Sequence, residues 1–201
     1  SSLRTVCFAG EVFPIDGLRR LRDAWPHAVL WNLYGPTETN VCTAFRIPEV
    51  VPADRGDPYP IGPACDHCRV MIADDGGGEV ADGVVGRILC TGDPVMRTYW
   101  GRDPEDVEAF LDRDGVRWYD TGDLGSRGDG GAIEFHGRRD RMVKRHGYRI
   151  ELGEIEAGLS VLETLDEVAV IATDDGGQTL IRAFVVPSSG TAVSIIQLRS
   201  H

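Results

Sequence analysis

The 201-residue sequence lacks a long hydrophobic run, and this absence excludes several classes of protein. No apolar stretch approaches the roughly 18 residues that a membrane-spanning helix needs. The first residues, SSLRTVCFAGE, also lack the charged segment and long apolar segment of a secretory signal peptide. We therefore expect no membrane partner. Because the chain opens directly on a predicted strand, we also expect it to be part of a longer protein.

The sequence also lacks an excess of basic residues. It carries 21 Lys and Arg against 32 Asp and Glu, which gives a formal net charge of −11. A phosphate backbone is bound through a basic footprint, so a nucleic acid partner is not expected.

Cysteines are few, and their number is odd. The five are Cys7, Cys42, Cys65, Cys68 and Cys90. An odd, scattered set argues against a disulfide framework and indicates a reducing, cytoplasmic location. Cys65 and Cys68 form a single CxxC motif, whereas a structural zinc site normally needs a second pair. Two half-buried thiols are therefore the preferred interpretation.

What the sequence does contain begins with a strand–helix–strand pattern. Residues 4–9 predict a buried strand. Apolar residues recur at helical spacing from Leu18 to Trp25, after Asp16 as a candidate N-cap. Residues 28–34 predict a second strand, so the three elements form a parallel βαβ unit. Such a unit places its ligand at the carboxyl end of the second strand.

Two further segments complete the predicted fold. Residues 50–136 contain short alternating strands and turn-rich clusters, typical of a small β-barrel or β-sheet module. Within them, residues 112–115 (DRDG) match only the start of a calcium-binding loop, so a hairpin turn is preferred. From Arg138 the order ββαββα, with a last helix from Thr191, indicates an α+β domain that is cut off. The predicted fold is thus α/β with a mixed β-barrel-like module, followed by a small, truncated α+β domain.

The stretch NLYGPTETN, residues 32–40, carries more chemistry than a turn requires. Tyr34 offers a ring on which a purine could stack. Thr37 supplies a hydroxyl, and Glu38 is a hard oxygen ligand suited to Mg²⁺ beside a phosphate. The alternative is a Gly-Pro turn followed by a helix that Thr37 caps. The stretch alone does not decide between a nucleotide site and a helix cap.

The stretch WYDTGDL, residues 118–124, has three interpretations. The triplet Asp120–Gly122 is similar to that of aspartic proteases, whose mechanism needs two carboxylates sharing a proton. The sequence has no second such triplet, so a protease site would require a symmetric dimer. Alternatively, the two oxygens of Asp123 accept hydrogen bonds from both hydroxyls of a ribose. The third interpretation is a hairpin corner held by local hydrogen bonds.

A basic run, GRRDRMVKRHGYRIELGEIE, occupies residues 137–156. It is either a solvated hairpin followed by a surface helix, or a site for a phosphorylated ligand. Arginine favours the second, because its planar fork matches phosphate and ribose oxygens.

Four segments in this order, FAGE, NLYGPTE, YDTGDL and the run at 137–156, together resemble the adenylate-forming enzymes. Within that superfamily the chain is similar to the amino-acid adenylation domains of nonribosomal peptide synthesis and to stand-alone amino-acid–carrier-protein ligases. The resemblance implies secondary metabolism such as antibiotic biosynthesis. It also implies a two-step ligase reaction, in which ATP and an amino acid form an aminoacyl-adenylate. A carrier-protein phosphopantetheine thiol then takes up the aminoacyl group.

The resemblance assigns roles around the NLYGPTE segment. Tyr34 is expected to stack on adenine, with Gly35 passing close beneath the ring. Thr37 is expected to contact the α-phosphate and Glu38 to hold Mg²⁺, which makes these two the implied catalytic residues.

Further implied residues bind the ribose. Asp123 is expected to accept hydrogen bonds from its hydroxyls, and Arg138 to reach it from the last strand before a hinge. The implied ATP-binding set is Asn32, Tyr34, Gly35, Thr37, Asp123 and Arg138.

The resemblance also implies two domains and a substrate pocket. Residues 1–139 correspond to the end of the large AMP-binding domain, and 140–201 to the start of a small mobile domain. Asp140 matches the hinge, and Gly147 matches the thiol channel. The implied pocket residues are Cys7, Ala9, Leu33, Val41 and Cys42. This small, uncharged wall favours proline, alanine or a short β-amino acid.

Two parts of the family pattern are absent from the sequence: the Ser/Thr/Gly-rich phosphate loop and the C-terminal lysine. We therefore expect the 201-residue chain not to adenylate by itself. An acyl-CoA ligase of the same superfamily is the first alternative, although YGPTE favours amino acids. The other is a non-catalytic remnant that binds a nucleotide or a carrier protein.

Overall fold

A computed structural model describes residues 2–103, 107–139, 142–145, 148–175 and 178–189. The chain divides into two compact units, Ser1–Asp140 and Arg141–His201. Among the described residues, no helix is long and apolar enough to cross a membrane.

The first unit begins with the predicted parallel βαβ arrangement. Strand β1 (Thr5–Ala9) pairs in parallel with β2 (Val29–Tyr34), and helix α1 (Ile15–Ala24) connects them. Strand β3 (Thr43–Arg46) then pairs antiparallel with β2. One face of this small sheet is covered by α1, because the helix buries its apolar stripe there. The core residues on that side are Ile15, Leu18, Ala28, Leu30 and Ile47.

Helix α1 does not begin at the predicted cap. Its N-cap is Pro14, and Asp16 lies inside the first turn. There the Asp16 carboxylate accepts a hydrogen bond from Nη1 of Arg19 at 2.7 Å. Proline has no N–H to leave unsatisfied at a helix start, so it replaces the side-chain cap that the sequence suggested.

A five-stranded antiparallel sheet makes up the rest of the first unit. Its strands are β4 (Cys68–Ala73), β5 (Gly86–Gly92), β6 (Phe110–Arg113), β7 (Val116–Arg127) and β8 (Ile133–Arg138). The order is β4-β5-β7-β6, and β8 pairs with the far half of the long strand β7. A short 3₁₀ turn, Asp129–Gly131, joins β7 to β8. The predicted strand-rich module is confirmed.

The DRDG segment forms the preferred hairpin turn between β6 and β7. Asp114 and Gly115 both have positive φ, 53° and 71°. Two such residues make the tight turn that matches the twist of the flanking strands, and Asp-Gly is a preferred pair for it.

The second unit contains two hairpins and one helix. Strands β9 (Met142–Arg145) and β10 (Tyr148–Glu151) pair antiparallel, helix α2 (Leu152–Ser160) follows, and β11 (Leu165–Asp175) pairs with β12 (Gln178–Pro187). The core of this unit is formed by Leu152, Leu159, Leu165 and Val170. The predicted order ββαββ is confirmed, whereas the helix expected from Thr191 lies outside the described residues.

Candidate nucleotide site

The NLYGPTETN stretch lies at the carboxyl end of β2, where the sequence placed a ligand. The chain leaves β2 at Tyr34 and turns back at once, since the N–H of Cys42 donates to the Tyr34 carbonyl at 2.8 Å. A Cβ at Gly35 would lie 1.6 Å from the Asn40 carbonyl oxygen, so only glycine fits there. Residues 37–39 form a turn that no helix follows. The interpretation of Thr37 as a helix cap is therefore wrong.

Three of the predicted nucleotide residues meet directly, although they lie on separate strands. The Tyr34 hydroxyl donates to Oδ2 of Asp123 at 2.5 Å. Nη1 of Arg138 donates to Oδ1 of the same carboxylate at 2.9 Å. Asp123 is 1% exposed and Tyr34 is 8% exposed, so the three form a buried polar cluster. We call Tyr34, Asp123 and Arg138 the β2–β7–β8 triad.

Burial determines the protonation of Tyr34. Loss of hydration, followed by the negative charge of Asp123, raises the pKa of Tyr34 well above its ordinary value. The hydroxyl therefore keeps its proton and remains a donor to the carboxylate. The ring itself packs at a tilt against Phe135, with centroids 6.1 Å apart. Little of the ring face is thus open for an adenine base to stack on. The expected stacking of Tyr34 on adenine remains a prediction.

An irregularity in β7 brings Asp123 into this position. Arg87 of β5 pairs with Leu124 and Leu89 pairs with Asp120, so one residue of β5 lies opposite residues 121–123. The extra backbone is held by the Thr121 hydroxyl, which donates to the Ile88 carbonyl at 2.9 Å. The motif lies inside a strand, so the hairpin corner is wrong. The local hydrogen bonds of that interpretation are present, because the N–H of Gly122 donates to Oδ1 of Asp120 at 2.9 Å and the N–H of Asp123 donates to the Thr121 hydroxyl at 3.2 Å. A bulge of this kind redirects side chains that regular pairing would orient otherwise.

Asp120, the other carboxylate of the motif, belongs to a separate ion-pair cluster. Its Oδ2 lies 2.8 Å from Nη1 of Arg87, and both side chains are less than a tenth exposed. Nη2 of Arg139 lies 3.4 Å from the same oxygen. A carboxylate placed between two guanidinium groups is a structural anchor. It is not one of two carboxylates sharing a proton, so the structure gives no support to a protease.

Glu38 is buried beneath a tyrosine that the sequence did not single out. Glu38 is 6% exposed, and its Oε1 accepts a hydrogen bond from the Tyr99 hydroxyl at 2.7 Å. The N–H of Met96 donates to the Glu38 carbonyl at 2.7 Å, which ties the two segments together. No spacing rule links Tyr99 to Glu38, so only the fold reveals the contact.

Two further predicted nucleotide residues, Thr37 and Asn32, belong to the same stretch as Tyr34 but have different surroundings. Thr37 is exposed, and its hydroxyl makes no hydrogen bond to the part of the chain that the structure describes. The Asn32 amide donates to the Pro60 carbonyl at 2.9 Å and so holds a neighbouring loop. Asp140 and Gly147, the hinge and thiol-channel predictions, lie outside the described residues.

The predicted substrate residues divide into two groups. Cys7 and Ala9 of β1 are exposed, and Ala9 pairs with half-buried Leu33 on the sheet face opposite α1. Val41 is half-buried, whereas Cys42 is fully buried among Cys68, Cys90 and apolar side chains. The structure therefore brings Cys7, Ala9 and Leu33 together and places Cys42 in the core.

The thiols of Cys42 and Cys90 belong to the same buried cluster. Interaction with the Cys90 thiol lowers the pKa of Cys42, and interaction with the Cys42 thiol raises the pKa of Cys90. Burial raises the pKa of Cys65 and of Cys68. Among the described residues, no group of three or more His, Cys, Asp or Glu side chains is placed to hold a metal ion.

Comparisons with known proteins agree with the motif assignment. Residues 1–100 match the family described as AMP-binding enzyme. The chain is 41% identical over 205 residues to an L-proline--[L-prolyl-carrier protein] ligase of Streptomyces coelicolor, covering 100% of this chain and 38% of that protein.

Solved structures give the same result for the fold. The crystal structure of IdnL1 has a TM-score of 0.88 at 31% identity, over 98% of this chain and 40% of that one. The Vibrio cholerae adenylation domain AlmE, in complex with glycyl-adenosine-5'-phosphate, has a TM-score of 0.82 at 28% identity, over 99% of this chain and 38% of that one. The chain thus spans well under half the length of the proteins it matches. With the ordered motifs, the β2–β7–β8 triad and these matches, the chain belongs to the AMP-binding enzyme family of adenylate-forming proteins.

Proposed function

We propose that this chain is part of an ATP-dependent ligase that activates a small amino acid as its adenylate and transfers it to a carrier-protein phosphopantetheine thiol. The observation that carries the proposal is the β2–β7–β8 triad. Its three residues lie on three different strands and far apart in sequence. Each comes from a segment that resembles a nucleotide-binding motif: NLYGPTE, YDTGDL and the basic run at 137–156. In this proposal the first unit belongs to the large nucleotide-binding domain, and the second begins the small mobile domain.

The chemistry of the triad suits a ribose. A carboxylate can accept about four hydrogen bonds, and Asp123 uses one at each oxygen in the contacts described above. The two oxygens of such a carboxylate can each accept a hydrogen bond from one of the two ribose hydroxyls. Because Asp123 is 1% exposed, we propose that ribose binding requires the Tyr34 hydroxyl to move away from the carboxylate.

Glu38 suits magnesium in the same way. Mg²⁺ in nucleotide sites is usually held by one or two carboxylates together with substrate phosphates and water. When bound, the ion would neutralise charge on the phosphate oxygens. The Glu38 carboxylate is the ligand that this chain would supply, and the Tyr99 hydroxyl orients it through Oε1. Thr37, exposed beside it, would donate to a phosphate oxygen.

We propose that the amino-acid substrate has a small side chain. The wall of exposed Cys7 and Ala9 and half-buried Leu33 has no charge to pair with an acidic or basic amino acid. The similarity to a proline ligase makes L-proline the first candidate, with alanine and a short β-amino acid next. A carrier protein is the proposed partner on the same ground.

The test is amino-acid-dependent exchange of pyrophosphate into ATP. A polypeptide of the relatives' full length that contains this chain is assayed with L-proline, L- and D-alanine and β-alanine, with L-glutamate and L-lysine as charged controls. We expect exchange with one small amino acid and none from the 201-residue chain alone.

Variants connect that activity to the triad. Asp123→Asn should reduce exchange at least tenfold, since the amide replaces one ribose acceptor with a donor, whereas exposed Asp57→Asn should not. A full-length protein that is folded but gives no exchange with any amino acid, or an Asp123→Asn variant with full activity, would contradict the proposal.

A further inference from the structure

The buried carboxylate of Asp120 has no part in the nucleotide site, yet it lies next to the boundary between the two units. The first unit ends at Asp140, so Arg139 is its last residue but one. Asp120 is 9% exposed, and its Oδ2 accepts hydrogen bonds from Nη1 of Arg87 at 2.8 Å and Nη2 of Arg139 at 3.4 Å. One buried carboxylate thus joins β5 to the residue that follows β8.

A closed ring of three hydrogen bonds holds Arg139 against the bulge of β7. The N–H of Gly122 donates to Oδ1 of Asp120 at 2.9 Å, and the N–H of Arg139 donates to the Gly122 carbonyl at 2.9 Å. The contact of the Arg139 side chain with Oδ2 of Asp120 closes the ring. Because the main chain and the side chain are both held, a shift of the backbone at Arg139 has to break at least one of these bonds.

The preceding residue, Arg138, is bound to the same bulge. Its Nη1 donates to the Thr121 carbonyl and to Oδ1 of Asp123, at 2.9 Å in each case. Asp120 and Asp123, the two carboxylates of the bulge, therefore bind the two consecutive arginines at the end of β8. The ribose-type carboxylate and the end of this strand are held by one short piece of backbone.

The buried position of Asp120 distinguishes this arrangement from an ion pair between two surface side chains. The Arg139 side chain is 48% exposed, and with an exposed partner it would contribute little. Asp120, however, is fixed by Arg87, whose Nη2 and Nε also donate to the Asp74 carbonyl at 2.8 Å and 3.1 Å. A carboxylate that is already held loses no further side-chain freedom when it accepts from Arg139.

We propose that Asp120 is a positioning residue, which clamps Arg139 and so fixes the point at which the chain leaves the first unit. Any movement of the second unit then pivots after Arg139, and the bulge that carries Asp123 stays in place during it. The role of this pivot in catalysis rests on the proposed function, in which the second unit belongs to a mobile domain. The clamp itself does not, because its bonds lie within the first unit.

Hydrogen exchange of the amide at residue 139, followed by nuclear magnetic resonance on the 201-residue chain, tests the clamp. Arg139→Gln keeps the backbone donor and removes the ion pair. Exchange there should become about threefold faster, as expected for loss of a half-exposed pair. Arg127→Gln is the matched control, because Arg127 pairs with Glu79 at 3.0 Å at the far end of β7. It should leave exchange at residue 139 unchanged.

Asp120→Asn approaches the same contact from the other side. It should also accelerate exchange at residue 139, and the double variant with Arg139→Gln should add little, because both changes remove one interaction. The amide of Leu89 on the central strand β5 should keep its rate in Arg139→Gln, which shows that the effect is local. No acceleration by Arg139→Gln, or equal acceleration by Arg127→Gln, would overturn the proposal even if Asp120→Asn failed to fold.

A full-length polypeptide gives a readout that a merely structural role would not change. There Arg139→Gln should lower transfer to the carrier-protein thiol about threefold relative to pyrophosphate exchange, because the change of domain position separates the two half-reactions. An unchanged ratio would overturn the positioning role. A parent without any exchange would contradict the proposed function instead, and the amide at residue 139 would still decide whether the clamp exists.

Discussion

Two charged side chains buried in the first unit, Asp123 and Arg22, are balanced in different ways. Asp123 is 1% exposed and accepts from both a guanidinium and a hydroxyl. Arg22 is 8% exposed, and among the described residues its side chain donates only to backbone carbonyls. The charge of Asp123 is therefore neutralised by a side chain of the same unit. A buried charge with dipolar partners depends on the position of the backbone instead, so the two ends of β2 differ in how their charge is balanced.

Asp123→Ala should have the largest effect on stability. It removes the charged partner of the Arg138 guanidinium and the acceptor of the buried Tyr34 hydroxyl, and breaking such a pair costs about 3–5 kcal/mol. Urea unfolding followed by tryptophan fluorescence measures it, because Trp25, Trp31, Trp100 and Trp118 all lie in the first unit. Exposed Asp57→Ala should change the unfolding free energy by about 0.5 kcal/mol or less. Equal effects of the two variants would show that Asp123 is not balanced as described.

Tyr34→Phe should cost about 1.5–3 kcal/mol, the range for a hydrogen bond to a charged group. Because the pKa of Tyr34 is raised in the folded protein, its proton is retained there while the unfolded tyrosine ionises near pH 10. The contribution is therefore full below about pH 10 and is lost as pH rises above it. The stability gap between the parent and Tyr34→Phe should therefore stay constant below about pH 10 and narrow as the pH rises above it. A constant gap would contradict the buried contact.

Arg22→Met should cost less than either change, about 1 kcal/mol. Two carbonyls lose a donor, but the cost of burying an unbalanced charge is also removed. The same urea unfolding assay measures this, with exposed Arg20→Met as its control. A loss of unfolding free energy as large as that of Asp123→Ala would mean that the Arg22 charge is as well balanced as the Asp123 charge, contrary to the comparison above.

Asp16→Asn should have the smallest effect, about 0.5 kcal/mol or less. Its ion pair with Arg19 is as short as a buried one, at 2.7 Å, but the Asp16 side chain is 81% exposed. Exposed pairs contribute little because water and salt screen them. Thermal unfolding at low and high salt checks this. If Asp16→Asn lowered the unfolding free energy by more than about 1 kcal/mol in a salt-dependent way, exposed ion pairs would not be weaker than buried ones in this protein.

Much of the fold was predictable because its signals are local. The parallel unit follows from apolar runs on either side of a helical pattern, and the Asp114–Gly115 turn follows from turn chemistry. The start of α1 was mispredicted, because Pro14 begins the helix without a side-chain cap. The hairpin corner, one of three interpretations of WYDTGDL, was also wrong, since the bulge opposite Ile88 depends on the pairing of two distant strands.

The candidate site was predictable as a set of motifs but not as an arrangement. Tyr34, Asp123 and Arg138 were each proposed for a nucleotide, and the structure joins them by direct hydrogen bonds. Tyr99 was missed because its contact with Glu38 spans a long stretch of chain without a recurring pattern. Cys42 is the second residue after the NLYGPTETN stretch, yet the turn at Gly35 directs it into the core.

The sequence by itself determined the family, the order of the elements and the chemical types of the site residues, because short motifs and apolar periodicity are properties of neighbouring residues. Only the tertiary structure decided which charges are balanced. Arg22 reaches the backbone at Pro48, and Asp123 reaches side chains on β2 and β8. Those partners are distant along the chain. Their pairing depends on strand register and burial, which no local pattern specifies.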